Sequence, residues 1–163
     1  MNFKKLLFNF TLIAGLTILM STTCKKDEPN DPSGNCDGYA SANASGQIST
    51  SLCFNALVSY QYTADESLSF VARQDGDPTY SINIQMTSGT DAFNGPGTYS
   101  CGFDAPGYVE LDIHGSDNEF YKTQSGTITI TTVDESHFNA TFNVVTVGYY
   151  NEKTVILSGT VKK

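Results

Sequence analysis

The sequence predicts an all-β protein: a single antiparallel β-sandwich or flattened β-barrel, built largely as a meander. Three observations carry that expectation. Beyond about residue 45, apolar and polar residues alternate with a period of two. Clusters of Gly, Pro, Asp and Asn interrupt the alternation at regular spacing. No stretch after the amino terminus shows a helical period.

The first 23 residues stand apart. Lys4 and Lys5 give a positive start, Leu6 to Met20 is apolar but for Asn9, Thr11 and Thr17, and Ser21-Thr22-Thr23 is small and polar. The apolar run covers about 15 residues, short of the ~20 that a transmembrane helix needs. The pattern is that of a secretory signal over 1–23 ending at Cys24. Residues 24–44 read as an acidic, disordered tether. From Lys25 to Asn35 there is no apolar side chain to pack, and Pro29 and Pro32 favour extended backbone. A lipidated Cys24 ahead of such a tether would hold a folded domain, 45–163, at a membrane.

Within that domain Ile82, Ile84 and Met86 alternate with polar neighbours, as do Val109, Leu111 and Ile113, then Ile128 and Ile130, then Phe138, Ala140, Phe142 and Val144. Each set is a strand with one buried face. Strands are expected near 46–52, 56–63, 67–73, 79–88, 97–103, 107–114, 119–122, 125–133, 137–147 and 153–161. Asp75-Gly76-Asp77-Pro78, Asn94-Gly95-Pro96-Gly97 and Asp104-Ala105-Pro106-Gly107 supply turn chemistry between them.

Two resemblances add to this reading. Cys24-Lys25-Lys26-Asp27-Glu28 resembles the lipoprotein signals of the Bacteroidota, where a Lys and acidic cluster after the lipidated Cys implies export to the outer face of the outer membrane. Ser21 stands where that pattern has an aliphatic residue, and Thr23 where it has Gly, Ala or Ser. The carboxy-terminal hairpins, Ser125-Gly126-Thr127-Ile128-Thr129-Ile130-Thr131, Phe138-Asn139-Ala140-Thr141-Phe142 and Thr154 to Val161, are similar to the DUF6252-type family of small Bacteroidota lipoproteins of unknown function. Gly97-Thr98-Tyr99 resembles that family's mid-domain element. The resemblance implies a β-rich exported domain and brings no activity.

Charge narrows the partners. The chain has 17 acidic and 9 basic residues, net -8. Removing Lys4 and Lys5 with the signal leaves seven basic against 17 acidic residues, net -10. Such a surface repels phosphate backbones and anionic headgroups, so no nucleic acid is expected and the membrane partner is reached through the lipid anchor.

Cys36, Cys53 and Cys101 remain after Cys24. An oxidising compartment favours one disulfide. Cys53 and Cys101 both lie in or beside expected strands and are the preferred pair, a bridge contributing about 4 kcal/mol on loop-entropy grounds. Cys36 with Cys53 is the alternative. No Cys-x-x-Cys is present, and neither a metal nor a cofactor is expected.

Candidate chemistry is sparse. Glu110, Asp112 and His114 share one strand face, a set able to bind a cation or move protons, though the solvated face of a sheet is the preferred account of them. Asp134, Ser136 and His137 are neighbours in sequence, but triads converge from separate elements. Asp75-Gly76-Asp77-Pro78 and Asp117-Asn118-Glu119 are acidic turns without EF-hand spacing. Aromatics next to turns are more informative: Tyr149 and Tyr150 at a hairpin tip, Phe120 and Tyr121 after a polar turn. Exposed rings offer large contact area at small entropic cost, so these four are the candidate contacts for a glycan or protein at the cell surface. The expected function is a non-catalytic, lipid-anchored binding or scaffolding domain at the outer membrane. The alternative is a lipocalin-like carrier of a small apolar ligand.

Overall fold

The computed structural model describes residues 36–64, 66–87, 93–115 and 118–163. The signal, Cys24 and most of the tether lie outside the described residues. Ten strands follow in chain order: β1 (Ala40–Gly46), β2 (Thr50–Phe54), β3 (Ala56–Thr63), β4 (Ser67–Gln74), β5 (Thr79–Thr87), β6 (Gly97–Ser100), β7 (Gly107–His114), β8 (Glu119–Val133), β9 (Phe138–Gly148) and β10 (Thr154–Lys162). All belong to one antiparallel sheet, ordered β2-β1-β10-β9-β8-β7-β5-β4-β3, with β6 pairing β8 off this path.

The two ends of that order explain the shape. β2 pairs β1 and β3 pairs β4, yet only Asn55 separates β2 from β3. The Cys53 N–H, on the free edge of β2, donates to Oε1 of Gln74 at the end of β4, 2.8 Å away. The two short strands thus act as one bent strand that leaves β1 and joins β4, and the sheet curls into a nearly closed barrel. Every other pairing along the path but the β1–β10 seam joins strands adjacent in sequence or separated only by β6, which is the expected meander.

Alternation fills the interior. Phe54, Phe70, Phe138, Ile82, Ile84, Met86, Leu111, Ile128, Ile130 and Leu157 are all essentially inaccessible and point inward. Aromatic packing knits the layers: Phe70 lies 5.6 Å from Phe138, and Tyr60 stacks 6.1 Å from Phe138. Phe93, just before β6, is fully buried against Tyr99 at 5.7 Å.

The sheet differs from the expected strands in two places. The residues 40–44, read as tether, are strand: Ala40, Ala42 and Ala44 alternate into the core as β1. Their small side chains give almost no hydropathy signal, but they fit where β1 crosses close to β10. The expected strand 46–52 is then the turn and first part of β2. The expected break between 119–122 and 125–133 is a bulge inside one long strand, β8, with the register shifting between Thr123 and Ser125. Gly126 permits it. Its φ is +136°, and a Cβ there would lie 2.4 Å from the Asn143 carbonyl oxygen.

The preferred disulfide is corrected. Cys53 bonds Cys36, with Cα atoms 5.5 Å apart, and Cys101 is a free, buried thiol. Face parity decides this. Leu52 and Phe54 point inward, so Cys53 between them points out, whereas Cys101 points into the core. Side chains on opposite faces of a sheet cannot reach one another. Burial pushes the Cys101 thiol up to about 12, which leaves it unreactive.

Candidate functional site

The expected contact residues sort by strand parity. At the start of β8, Glu119, Tyr121 and Thr123 point in, while Phe120 and Lys122 point out. Tyr121 is only 3% exposed, so it leaves the set of contact residues. Tyr149 and Tyr150, at the β9–β10 tip, are 62% and 66% exposed. The rings make a continuous wall: His114 to Phe120 at 6.1 Å, Phe120 to Tyr150 at 6.1 Å, Tyr150 to Tyr149 at 5.0 Å. Successive rings are steeply tilted, by 82°, 54° and 88°, so the wall is corrugated rather than flat.

The turn that carries the two tyrosines is held from beneath. Glu119 is buried, and its carboxylate accepts from the backbone N–H groups of Phe120 (3.1 Å), Tyr150 (2.9 Å) and Asn151 (3.0 Å). The Asn151 Nδ2 donates to the Tyr121 hydroxyl at 3.0 Å, and the Asn151 Oδ1 accepts from the Lys153 N–H at 2.8 Å. Backbone bonds close the turn: Tyr149 N–H to the Phe120 carbonyl at 2.8 Å, Gly148 N–H to the Lys153 carbonyl at 2.9 Å. Glu152 adopts a left-handed φ of 56°, uncommon for a side chain of its kind. A Cβ at position 148 would lie 2.1 Å from the Asn151 Oδ1, so any larger residue there would displace the Asn151 amide from its bonds. A turn so fully bonded holds its backbone in one conformation, which sets where the two tyrosines leave the chain.

The carboxylates expected on β7 stand beside this wall. Glu110 is paired with Lys122 and Asp112 with Phe120 across β7 and β8. Both acids are half-buried rather than freely solvated. Burial, first, and the neighbouring Asp112, second, hold Glu110 above its ordinary range, against the pull of Lys122 and a hydrogen bond from Tyr108. Burial raises Asp112 too, offset by His114 and Lys122. Burial and the Glu110 charge likewise raise the Tyr108 phenol. The Lys122 ammonium lies 4.7 Å from the centre of the Tyr149 ring. Asp112 Oδ1 is enclosed without a hydrogen-bond partner among the described residues. The set Glu110, Asp112 and His114 lies along one strand.

The other candidates resolve as turn chemistry. Asp134 Oδ1 accepts from the Ser136 N–H (2.7 Å), the His137 N–H (2.8 Å) and lies 3.1 Å from His137 Nδ1, so Ser136 contributes only its backbone. These bonds pull the exposed Asp134 carboxyl below its ordinary range. Asp75 pairs with Arg73 at 2.7 Å. Among the described residues no group of three or more His, Cys, Asp or Glu side chains is arranged to hold a metal ion. A surface depression of about 440 Å³ lies where the chain enters the barrel, lined by Cys36, Asp37, Gly38, Tyr39, Lys162 and Lys163. It lies at the far end of the β9–β10 hairpin from the aromatic wall, and the wall residues do not line it.

No family model matches this chain, and neither a curated protein nor a solved structure matches it. Of two residues central to the site, sequence reasoning takes Glu119 only as part of an acidic turn and misses Lys122. Both were legible from parity: an acid in phase with Tyr121 must be buried, and a lysine in phase with Phe120 must share its face.

Proposed function

We propose that this chain is an exported lipoprotein, anchored by lipid on Cys24 at the outer membrane and exposed at the cell surface, whose barrel binds a partner through the aromatic wall without catalysis. Its kinship to the small Bacteroidota lipoproteins is part of the same proposal, resting on the Cys24 to Glu28 cluster and the carboxy-terminal hairpins. One observation carries the binding reading: two strongly exposed tyrosines on a turn fixed by a buried carboxylate. Rings held out of the core at an ordering cost already met are what recognition exploits. An interior filled by Phe54, Phe70, Phe138 and Leu157 supports a surface site over a lipocalin-like carrier.

The wall also stands well away from the entry of the tether. The chain enters beside Lys162, at one end of β10, and the wall lies past Thr154 at the other, about 30 Å along the strand. A domain held by Cys24 can thus present the wall outward.

Proteinase shaving of intact cells tests the address: the domain should disappear from the cell-bound fraction, and its survival would sink the surface claim. Comparing partners captured by the unaltered protein and by Tyr149→Ala/Tyr150→Ala tests the wall. A partner lost with the double substitution is the expected result, and identical capture removes the reading.

A further inference from the structure

The wall contains one arrangement twice and completes it once. Glu110 and Lys122 face one another across β7 and β8, and the Lys122 ammonium rests on the Tyr149 ring. A carboxylate, a cation and an aromatic face stand together there. Two residues along the same strands, Asp112 faces Phe120, and Phe120 meets Tyr150. The carboxylate and the aromatic faces recur, but among the described residues no cation–π contact involves Phe120 or Tyr150. His114 flanks the place, edge-on to Phe120. One oxygen of Asp112 has no hydrogen-bond partner, and the carboxyl is held above its ordinary range by burial that His114 and Lys122 only partly offset. The steep tilt between Phe120 and Tyr150, 54°, makes a corner suited to a compact group rather than a flat strip.

Resting on the binding role of the wall, we infer that Asp112, Phe120 and Tyr150 form a site for an organic cation, and that the cation is an arginine or lysine side chain of a basic protein partner. A guanidinium can lie against an aromatic face while its N–H groups donate to a carboxylate, which satisfies both halves of the place. Two further features select a polypeptide over a small free cation. The chain's net charge of -8 draws basic partners toward it. Apolar surface also lies past Lys122: Val147 is its cross-strand partner on β9, and Val145, two residues back on the same face, pairs with Ile156 on β10, which is 44% exposed. That stripe gives a neighbouring chain area to cover.

The test uses the full chain in detergent, titrated with a capped Arg-Gly repeat peptide and with its citrulline counterpart, which keeps the shape and loses the charge. The arginine peptide should bind and the citrulline peptide should bind about tenfold or more weakly. Asp112→Asn and Tyr150→Ala should each weaken the arginine peptide by about tenfold, with added salt acting in the same direction. Lys122→Met, which removes a cation that acts on both Glu110 and Asp112, should strengthen binding several-fold, and melting curves would verify that each variant is folded. Equal binding of the two peptides, or an Asp112→Asn protein that binds as well as the unaltered one, overturns the inference. A neutral oligosaccharide or citrulline peptide whose binding depends on Tyr150 and not on Asp112 would overturn it while leaving the wall a binding surface. If Tyr149→Ala and Tyr150→Ala alter the binding of no partner, the wall and the cation place fall together.

Discussion

Two lysine–tyrosine pairs stand at opposite ends of the β9–β10 hairpin, and they serve opposite purposes. Where the chain enters the barrel, the Lys163 ammonium lies 4.1 Å from the Tyr60 ring centre and also donates to the carbonyls of Ser136 (2.9 Å) and Glu135 (3.4 Å). Tyr60 packs on Phe138, and its hydroxyl donates to the carbonyls of Asp134 (2.6 Å) and His137 (3.2 Å). Burial, then the charge of Asp134 and the neighbouring Tyr62, push the Tyr60 phenol up to about 12. At the tip, Lys122 rests on Tyr149, whose ring stands in solvent. At the first end the donors and the ring are spent inside the fold, tying β3 to the β8–β9 turn and the end of β10. At the second end the ring is left over. The contrast separates closure from display: a cation–π pair is structural where its members also bond backbone and join the core, and available where they do not.

The largest effect should come from breaking the closed end. Phe138 is fully buried and touches both Tyr60 and Phe70. Phe138→Ala should cost about 3–5 kcal/mol, read by denaturant unfolding, whereas Tyr149→Ala at the display end should change stability by no more than about 0.5 kcal/mol. A comparable loss at both positions would erase the distinction. Next in size is the disulfide. Cys36 and Cys53 are 17 residues apart, and their bond pins the incoming chain to the bent β2–β3 corner. Replacing both by serine should cost about 3 kcal/mol in unfolding experiments under oxidising conditions. Cys101→Ser should leave the disulfide intact, and loss of the cross-link in that variant, seen by mass spectrometry, would restore the rejected pairing.

The strands were legible in the sequence wherever large apolar residues alternate. Ile82, Ile84 and Met86, or Phe138, Ala140, Phe142 and Val144, give a period that no helix shares, and they are strand and core in the barrel. β1 was not legible as strand, because the alanines of Ala40-Ser41-Ala42-Asn43-Ala44 are too small to stand out as a hydrophobic face, and Ser41 is buried along with them. The bulge in β8 looked like a turn because Gln124-Ser125-Gly126 carries turn chemistry, and only pairing with β9 keeps the chain extended. Closure of the sheet depends on Asn55 redirecting the chain between β1 and β4, a relation between distant residues that periodicity does not contain. The site was half legible. Tyr149 and Tyr150 are legible from their turn, whereas Tyr121, read from its neighbour Phe120, and the Cys53–Cys101 pair, read from shared strand character, fail because neither reading weighs face parity.

A smaller effect should come from loosening the tip itself. Glu119→Ala would leave the Phe120, Tyr150 and Asn151 N–H groups without their acceptor. A cost of about 2 kcal/mol follows from losing hydrogen bonds to a charged group, part of it recovered if water enters. Hydrogen exchange at Tyr150 and Asn151 should rise more than exchange in β4 or β5. Partner binding should weaken although no ring has been removed. If exchange at the tip is unchanged, the turn is held by its backbone bonds alone and Glu119 has no part in presenting the tyrosines.

The smallest effect should appear in the pH dependence of stability, and its sign is diagnostic. Asp112 and Glu110 are both held above their ordinary values by burial. An acid whose folded pKa is raised binds more protons folded than unfolded in the window between the two values. Stability therefore falls as pH rises from the ordinary carboxylate range to the raised one, and stays lower above it. Asp134, whose carboxyl is held low by the turn bonds, acts oppositely: its contribution is present above the ordinary value and is lost as pH drops. The full chain should thus gain stability from Asp112 on mild acidification before Asp134 and its like take it away. Melting temperature against pH should show that rise, and Asp112→Asn should remove part of it while raising stability at neutral pH by about 1 kcal/mol or less, since the group is partly open to water. A basic peptide bound at the wall should flatten the same slope, because a cation beside Asp112 lowers its pKa toward the unfolded value. Flattening by the arginine peptide and not by its citrulline counterpart would tie the display end to charge; equal slopes in all three samples would make Asp112 a bystander to whatever the tyrosines hold.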